Sequence, residues 1–115
     1  LEAVARVRAA GGVAVIAHPA ASKRGRCIGD TDIEALVDAG LSGLEIDHRD
    51  HSDAERAHLR DLASSLGLLT TGSSDYHGSG KRNLLGENTT DPEVLVRLDE
   101  LAAGAGRDVD AARPA

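Results

Sequence analysis

The feature that most constrains this fold is a repeated alternation of short aliphatic runs with helix signals. Residues 13–17 form a continuous apolar run rich in β-branched side chains, between a glycine pair and a proline. Such a run is typical of a strand buried on both faces of a parallel sheet. Residues 43–48 and 68–74 are the next two predicted strands. Because strands and helices alternate, we expect a parallel sheet with right-handed crossovers.

Four helices are predicted around these strands. The first covers residues 1–10 and ends at the Gly11-Gly12 pair. Capping-box patterns at residues 31–34, 52–55 and 90–93 predict where the other three begin. Three strands are few for a complete α/β domain, so residues 1–103 are predicted to be the C-terminal part of a TIM-like barrel. Residues 104–115 lack apolar periodicity and are predicted to be a disordered tail.

Composition narrows the class of protein further. With one Tyr, no Phe and no Trp in 115 residues, the core must be aliphatic, and a small aliphatic core alone is marginal. The first residue, Leu1, already reads as part of a helix, which suggests a fragment. The single Cys27 excludes an internal disulfide framework and a cysteine zinc site. No run reaches membrane-spanning length and no signal peptide is evident, so we expect a cytoplasmic location.

Each predicted strand ends in side chains that can bind a metal. His18 follows the first strand, Asp47 and His48 end the second, and Asp75 and His77 follow the third. Because the C-terminal ends of parallel strands share one edge, these groups should lie close together. An extended backbone would also point the last two residues to the same side. The pattern predicts a metal site, although a single His or Asp after a strand is often structural.

Basic residues gather in the loops that follow the strands. Six of the thirteen lie there: Lys23, Arg24, Arg26, Arg49, Lys81 and Arg82. A net charge of −6 argues against a broad nucleic-acid surface. Cations gathered in the loops at one end of the sheet instead indicate binding of a small anion such as phosphate, although exposed loops are often charged in any case. We predict phosphate contacts for Arg24, Arg26 and Lys81, whereas His51 could either reach a ligand or be solvated.

Three stretches resemble the PHP (polymerase and histidinol phosphatase) family. They are Gly-Gly-Val-Ala-Val-Ile-Ala-His-Pro at 11–19, Gly-Leu-Glu-Ile-Asp-His with His51-Ser52 at 43–52, and Thr-Gly-Ser-Ser-Asp-Tyr-His-Gly at 71–78. They are most similar to the bacterial 3′,5′-nucleoside-bisphosphate phosphatases and 5′-to-3′ exoribonucleases. The resemblance implies the last three βα units of a distorted TIM-like (β/α)7 barrel. It also implies two or three divalent ions, whether Mn, Fe, Zn or Mg, at the strand ends.

The resemblance also implies roles for individual residues. His18 would bind one metal, Asp75 a second and His77 a third, and His51 would lie near the scissile phosphate. The family's opening His-x-His motif, its second-motif Asp and His, and its bridging Glu are absent from this chain. The expected partner is therefore the N-terminal half of the same barrel, and residues 1–115 alone are expected to be inactive.

The expected function is that of a metal-dependent phosphoesterase, a hydrolase. Its substrates would be phosphate monoesters or diesters of nucleotides or short oligoribonucleotides, and no membrane contact is expected. No catalytic acid or base is assigned. One alternative is a non-catalytic metal-binding or assembly module. Another keeps the fold but changes the substrate, as in a histidinol phosphatase or a polymerase-associated exonuclease.

Overall fold

The three aliphatic runs form one parallel sheet in the order β1-β2-β3. The computed structural model describes residues 1–25 and 27–111, and the side chains of all of these except residue 24 and residues 105–111. The strands are β1 (Val15–Ile16), β2 (Gly43–Asp47) and β3 (Leu69–Gly72). Val15 lies opposite Gly43, and Leu44 lies opposite Thr70. The predicted α/β fold with parallel strands is confirmed.

Four α-helices connect and flank the strands. They are α1 (Glu2–Ala9), α2 (Asp30–Asp38), α3 (Asp53–Leu66) and α4 (Pro92–Ala111), with short 3₁₀ turns at Ser22–Arg24 and Gly78–Gly80. Within the described residues, no helix combines the length and apolar character needed to cross a bilayer.

The capping box predicted for α3 is present in full. The Glu55 N–H donates to the Ser52 hydroxyl at 3.1 Å, and the Ser52 N–H donates to the Glu55 carboxylate at 2.7 Å. The second of these bonds lowers the pKa of Glu55 below its ordinary value. The helix ends at Gly67, whose φ of 68° lies in the left-handed region that glycine adopts without steric cost.

The other two predicted capping boxes are wrong. Helix α2 begins at Asp30 after a Gly29 cap that makes no side-chain bond, so Thr31 lies inside the helix. Helix α4 begins at Pro92, where proline's missing N–H costs nothing. The Thr90 hydroxyl instead accepts the N–H of Gly72 at 3.1 Å and donates to its carbonyl at 2.8 Å. It thereby satisfies the backbone of β3 on the side where no strand among the described residues pairs with it.

The last helix is longer than predicted. It continues through Gly104 to Ala111, where a disordered tail was expected to begin at residue 104. A single glycine inside a helix costs only about 1 kcal/mol, and the alanines beside it favour the helix. Residues 112–115 of the predicted tail lie outside the described part of the chain.

The core is aliphatic, as the composition predicts. Its buried members come from α1, α2, α3, β2 and the segments beside the strands: Val4, Ala14, Ile33, Leu41, Leu44, Ile46, Leu59 and Ala63. Leu44 and Ile46 of the central strand have no exposed surface. Each such side chain contributes about 1.5–3 kcal/mol when fully buried. The helices therefore anchor β2, whose C-terminal end carries the candidate site.

The close packing around Gly72 predicts that a larger residue at this position destabilises the fold. A Cβ there would lie 2.5 Å from the Thr89 carbonyl oxygen and 2.8 Å from the Asp47 Cβ. Gly72→Ala should therefore lower the free energy of unfolding by about 1–3 kcal/mol or more, measured by urea denaturation. Gly80→Ala is the matched control, because nothing lies within 4 Å of its Cβ position. Equal stability of the two variants would contradict this account of the β3 end.

Candidate metal centre

The ends of all three strands contribute to one group of metal-capable side chains. His18 follows β1, His48 follows β2, and Asp75 lies three residues beyond β3. One ligand atom from each of the three lies within 4.8 Å of the other two. Imidazole nitrogens with a carboxylate oxygen suit several divalent metals, among them Zn, Fe and Mn. The structure thus brings two of the predicted ligands together and adds a third side chain, His48.

Two residues of this group have an unusual backbone. His18 has φ of 29° and Asp75 has φ of 51°, the two positive values at non-glycine residues in the described chain. Each such conformation costs on the order of 1–3 kcal/mol and persists only where the surroundings enforce it. The His18 N–H donates to the Glu45 carboxylate at 3.1 Å. The Asn83 side chain donates to the Ser74 carbonyl, next to Asp75, at 2.7 Å.

A bulge in β2 separates two carboxylates that strict alternation would place on one face. The pairing with β3 slips between Glu45 and Asp47, and a bulge of this kind turns the following side chains. Glu45 faces the candidate site, where it accepts from the Ser73 hydroxyl at 2.8 Å as well as from the backbone after β1. Asp47 instead accepts a short hydrogen bond from Arg60 of α3. The predicted contribution of Asp47 to the strand-end cluster is therefore wrong.

His48 is the most enclosed member of the cluster. Its ring is fully buried, and Nε2 lies 3.0 Å from Asp75 Oδ2. The Asp50 N–H donates to Nδ1 at 3.0 Å. The hydrogen bond from His48 holds the pKa of Asp75 well below its usual range, and Lys81 and His77 lower it further while burial opposes them. Asp75 is therefore a carboxylate, the form that binds metal.

His51 is enclosed between β2 and the loop after β1. The ring is buried, so it is not solvated. Its Nδ1–H donates to the Ile46 carbonyl at 2.7 Å, because a carbonyl can only accept. Its Nε2 accepts the N–H of Ala20 at 3.1 Å. The ring joins β2 to the loop after His18, and a phosphate contact would require one of these bonds to break.

His77 lies outside the three-residue cluster. β3 ends at Gly72, and the left-handed backbone of Asp75 interrupts the extended geometry expected to align the two side chains. The His77 ring is 55% exposed, and Nδ1 lies 2.7 Å from the Asp75 carbonyl oxygen. Because the carbonyl can only accept, Nδ1 carries the proton and Nε2 has the lone pair.

Of the predicted phosphate-binding cations, Lys81 is the one whose position at the site is described. Its ammonium lies 3.3 Å from Asp75 Oδ2. Arg26 and the side chain of Arg24 lie outside the described part of the chain. Arg49, another of the six basic loop residues, donates to Glu87 at 3.1 Å. This pair joins the loop after β2 to the loop after β3.

Two residues at the strand ends, His48 and Glu45, are more closely tied to the candidate site in the structure than the sequence pattern predicts. The sequence pattern predicts His48 only as a strand-end group and predicts no role for Glu45. A signal for Glu45 was present, because a carboxylate between Leu44 and Ile46 of a buried strand needs polar partners. The signal for His48 was its position directly after that strand.

Comparisons with known proteins agree with this geometry. No family model matches the chain. Over 68 residues, 59% of this chain, it is 43% identical to a phosphoribosyl 1,2-cyclic phosphate 1,2-diphosphodiesterase of Eggerthella lenta, of which it covers 24%. It is also 40% identical to a crystal structure from Bifidobacterium adolescentis, provisionally described as a metal-dependent phosphoesterase. The TM-score is 0.84, and the match covers 87% of this chain and 35% of that one.

The chain thus spans about a quarter of the curated relative's length and about a third of the solved relative's. Its described α/β unit has the fold of the corresponding part of the solved relative. The similarities are consistent with a PHP-like family. With the His and Asp cluster, they support a dependence on divalent metal.

The contacts of His51 predict that it stabilises the fold around the site. His51→Leu should lower the free energy of unfolding by about 1–3 kcal/mol, because the buried Ile46 carbonyl and the Ala20 N–H lose their partner. His58→Leu is the control, since its ring lies at the surface beside Asp30, which raises the pKa of His58. Urea denaturation at pH 7.5 measures both variants. A His51 variant as stable as the control would contradict the assignment.

Proposed function

We propose that this chain belongs to a metal-dependent phosphoesterase that hydrolyses phosphate monoesters or diesters of nucleotides or short oligoribonucleotides. The observation that carries the proposal is the convergence of His18 and Asp75, with His48 beside them, at the C-terminal edge of the parallel sheet. Lys81 stands beside it. In parallel α/β folds this edge is where active sites form.

His18 and Asp75 are the proposed ligands in this cluster, and His77 is proposed to bind a further ion. Support for His77 comes from its ring, whose Nδ1–H donates to a backbone carbonyl. A histidine that binds a metal through one nitrogen commonly donates its other N–H in this way. Two or three ions are proposed for the complete protein, with Mn, Fe, Zn and Mg as candidates. Mixed nitrogen and oxygen donors are compatible with several of these metals.

The side chains of this chain have distinct tasks in the proposed reaction. A bound divalent ion would supply Lewis acidity and a water of lowered pKa. Lys81, next to Asp75, is placed to offset negative charge that develops on the phosphoryl oxygens. Arg24 and Arg26, in the loop after β1, are proposed to contact the same phosphate. Glu45 would keep the ends of β1 and β3 at a constant separation.

The proposed substrate class rests on chemistry shared by the two lines of resemblance. The similar Eggerthella protein is named for a phosphoribosyl cyclic phosphate. The PHP branch that the motifs resemble acts on nucleoside bisphosphates and oligoribonucleotides. All of these are phosphate esters of ribose. A ribose phosphate ester is therefore the class we propose for this chain.

The proposed partner of this chain is the N-terminal half of the same barrel. An apolar groove of about 350 Å³ lies between α1 and β1, with Val4, Val7 and Ile16 among its lining residues. β1 pairs with β2 on one side and has no strand on its other side within the described residues. A further strand there would bury this apolar surface. The solved relative, of which this chain covers 35%, has the length to supply it.

A substitution at Asp75 tests the proposed function. In the full-length protein, Asp75→Asn should reduce phosphate release about 100-fold or more, because a ligand to a catalytic ion contributes several kcal/mol to transition-state stabilisation. Asp61→Asn, at an exposed position on α3, should leave the rate unchanged. The assay would compare nucleoside bisphosphates, short oligoribonucleotides and ribose cyclic phosphates, together with the metal content of each variant.

The same assay separates the alternatives. Full activity in Asp75→Asn would show that the metal site is assigned to the wrong residue. Metal binding by the wild-type protein without hydrolysis of any ester would favour a non-catalytic module. With histidinol phosphate and DNA added to the panel, hydrolysis confined to histidinol phosphate, or to DNA ends, would keep the fold and replace the substrate.

Residues 1–115 alone should not turn over substrate. The three proposed ligands, His18, Asp75 and His77, are too few to hold a cluster of two or three ions against water, so we expect weak metal binding and no phosphate release. The measurement compares this fragment with the full-length protein at equal metal concentration after chelator treatment. Activity in the fragment above that of an Asp75→Asn fragment would contradict the requirement for a second half.

A further inference from the structure

We infer that His48 is a positioning residue for Asp75 and does not itself bind the metal. The inference starts from its surroundings at the end of β2. The imidazole ring of His48 is fully buried. The backbone carbonyl of His48 accepts hydrogen bonds from Arg56 at 2.8 Å and from the His51 N–H at 3.1 Å. The backbone at His48 is therefore held from the side of α3 as well as from its own turn, and the burial of the ring limits its freedom to turn.

The two hydrogen bonds of the ring determine its tautomer. A backbone N–H can only donate, so Nδ1, which receives the Asp50 N–H at 3.0 Å, must carry a lone pair. The proton of the neutral ring is then on Nε2. Since Asp75 is a carboxylate, Nε2–H donates to its Oδ2 at 3.0 Å. Both partners of the ring are matched, as a buried polar group requires.

This tautomer is the wrong one for binding a metal at the cluster. Ligation through Nε2 would move the proton to Nδ1, which would then face the Asp50 N–H, a donor against a donor. In the observed arrangement the Asp50 carboxylate lies 4.0 Å from Nδ1, beyond hydrogen-bond distance. His77 shows the opposite arrangement, with its Nδ1–H on a carbonyl and a lone pair on Nε2.

The hydrogen bond from His48 supports the carboxylate of Asp75. The backbone of Asp75 is left-handed, with φ of 51°, a conformation that persists only where the surroundings hold it. The bond from His48 and the contact with Lys81 both engage Oδ2. Such bonds orient a ligating carboxylate and set its affinity for metal, and their loss commonly costs 10- to 100-fold in binding. His48 thus acts on the proposed metal through Asp75.

Two substitutions separate positioning from ligation. A glutamine amide can donate to Asp75 from a position close to that of Nε2, but it lacks the imidazole lone pair. In the full-length protein, His48→Ala should weaken zinc binding about 10- to 100-fold, measured by calorimetric titration, whereas His48→Gln should retain most of the affinity. His18→Gln is the matched control, since a ligating imidazole is not replaced by an amide. Equal losses in both His48 variants, or no loss in either, would overturn the inference.

The wild-type protein provides a test that does not depend on the folding of a variant. With ¹⁵N-labelled histidine, NMR spectra should show the Nε2–H tautomer of His48 in the metal-free protein and again after zinc is added. The His48→Gln spectrum identifies the resonance. A proton on Nδ1 in either state would overturn the inference.

The inference rests on the metal site of the proposed function, but the experiments can contradict the role of His48 and the proposed function independently. Absence of zinc binding would count against the proposed function, while the metal-free tautomer would still decide the role of His48.

Discussion

The parallel pairing of β2 with both of its neighbours is the constraint on which the candidate site depends. Because all three strands run in one direction, the residues that follow them meet at one edge of the sheet. The carboxylate of Glu45 strengthens this arrangement, since it bonds the backbone of His18 after β1 and the hydroxyl of Ser73 after β3. A single side chain on the central strand thus links all three strand ends. It acts together with the strand pairing and with the bond from His48 to Asp75.

Buried polar groups around this edge are matched to partners of the right kind. His51 donates to one backbone carbonyl and accepts one backbone N–H, and His48 accepts a backbone N–H and donates to Asp75. Fully satisfied networks of this type orient side chains firmly, whereas a single missing partner is costly. The left-handed backbones of His18 and Asp75 add strain that the network must hold. A site prepared before substrate binds is a requirement for electrostatic catalysis.

Much of the fold could be predicted from short-range patterns. The aliphatic runs located the three strands, Ser52 and Gly67 located the ends of α3, and the absence of large aromatics predicted an aliphatic core. Predictions failed where a partner distant in sequence competed with the local one. Thr90 bonds the backbone of Gly72 in place of capping a helix. The bulge in β2 turns Asp47 toward Arg60, and no local pattern marks the residue at which a strand pairing slips.

For the site, the sequence by itself determined which residue types follow each strand, and hence that His18, His48 and Asp75 could meet. Alternating strands and helices produce parallel strands, and the C-terminal ends of parallel strands lie at the same edge of the sheet. Only the tertiary structure decided what each histidine does there. The protonated nitrogen of a ring depends on whether its neighbour is an N–H or a carbonyl, and those neighbours come from other turns of the backbone. His48, His51 and His77 are the same residue type, and their hydrogen-bond partners determine which ring nitrogen of each carries the proton.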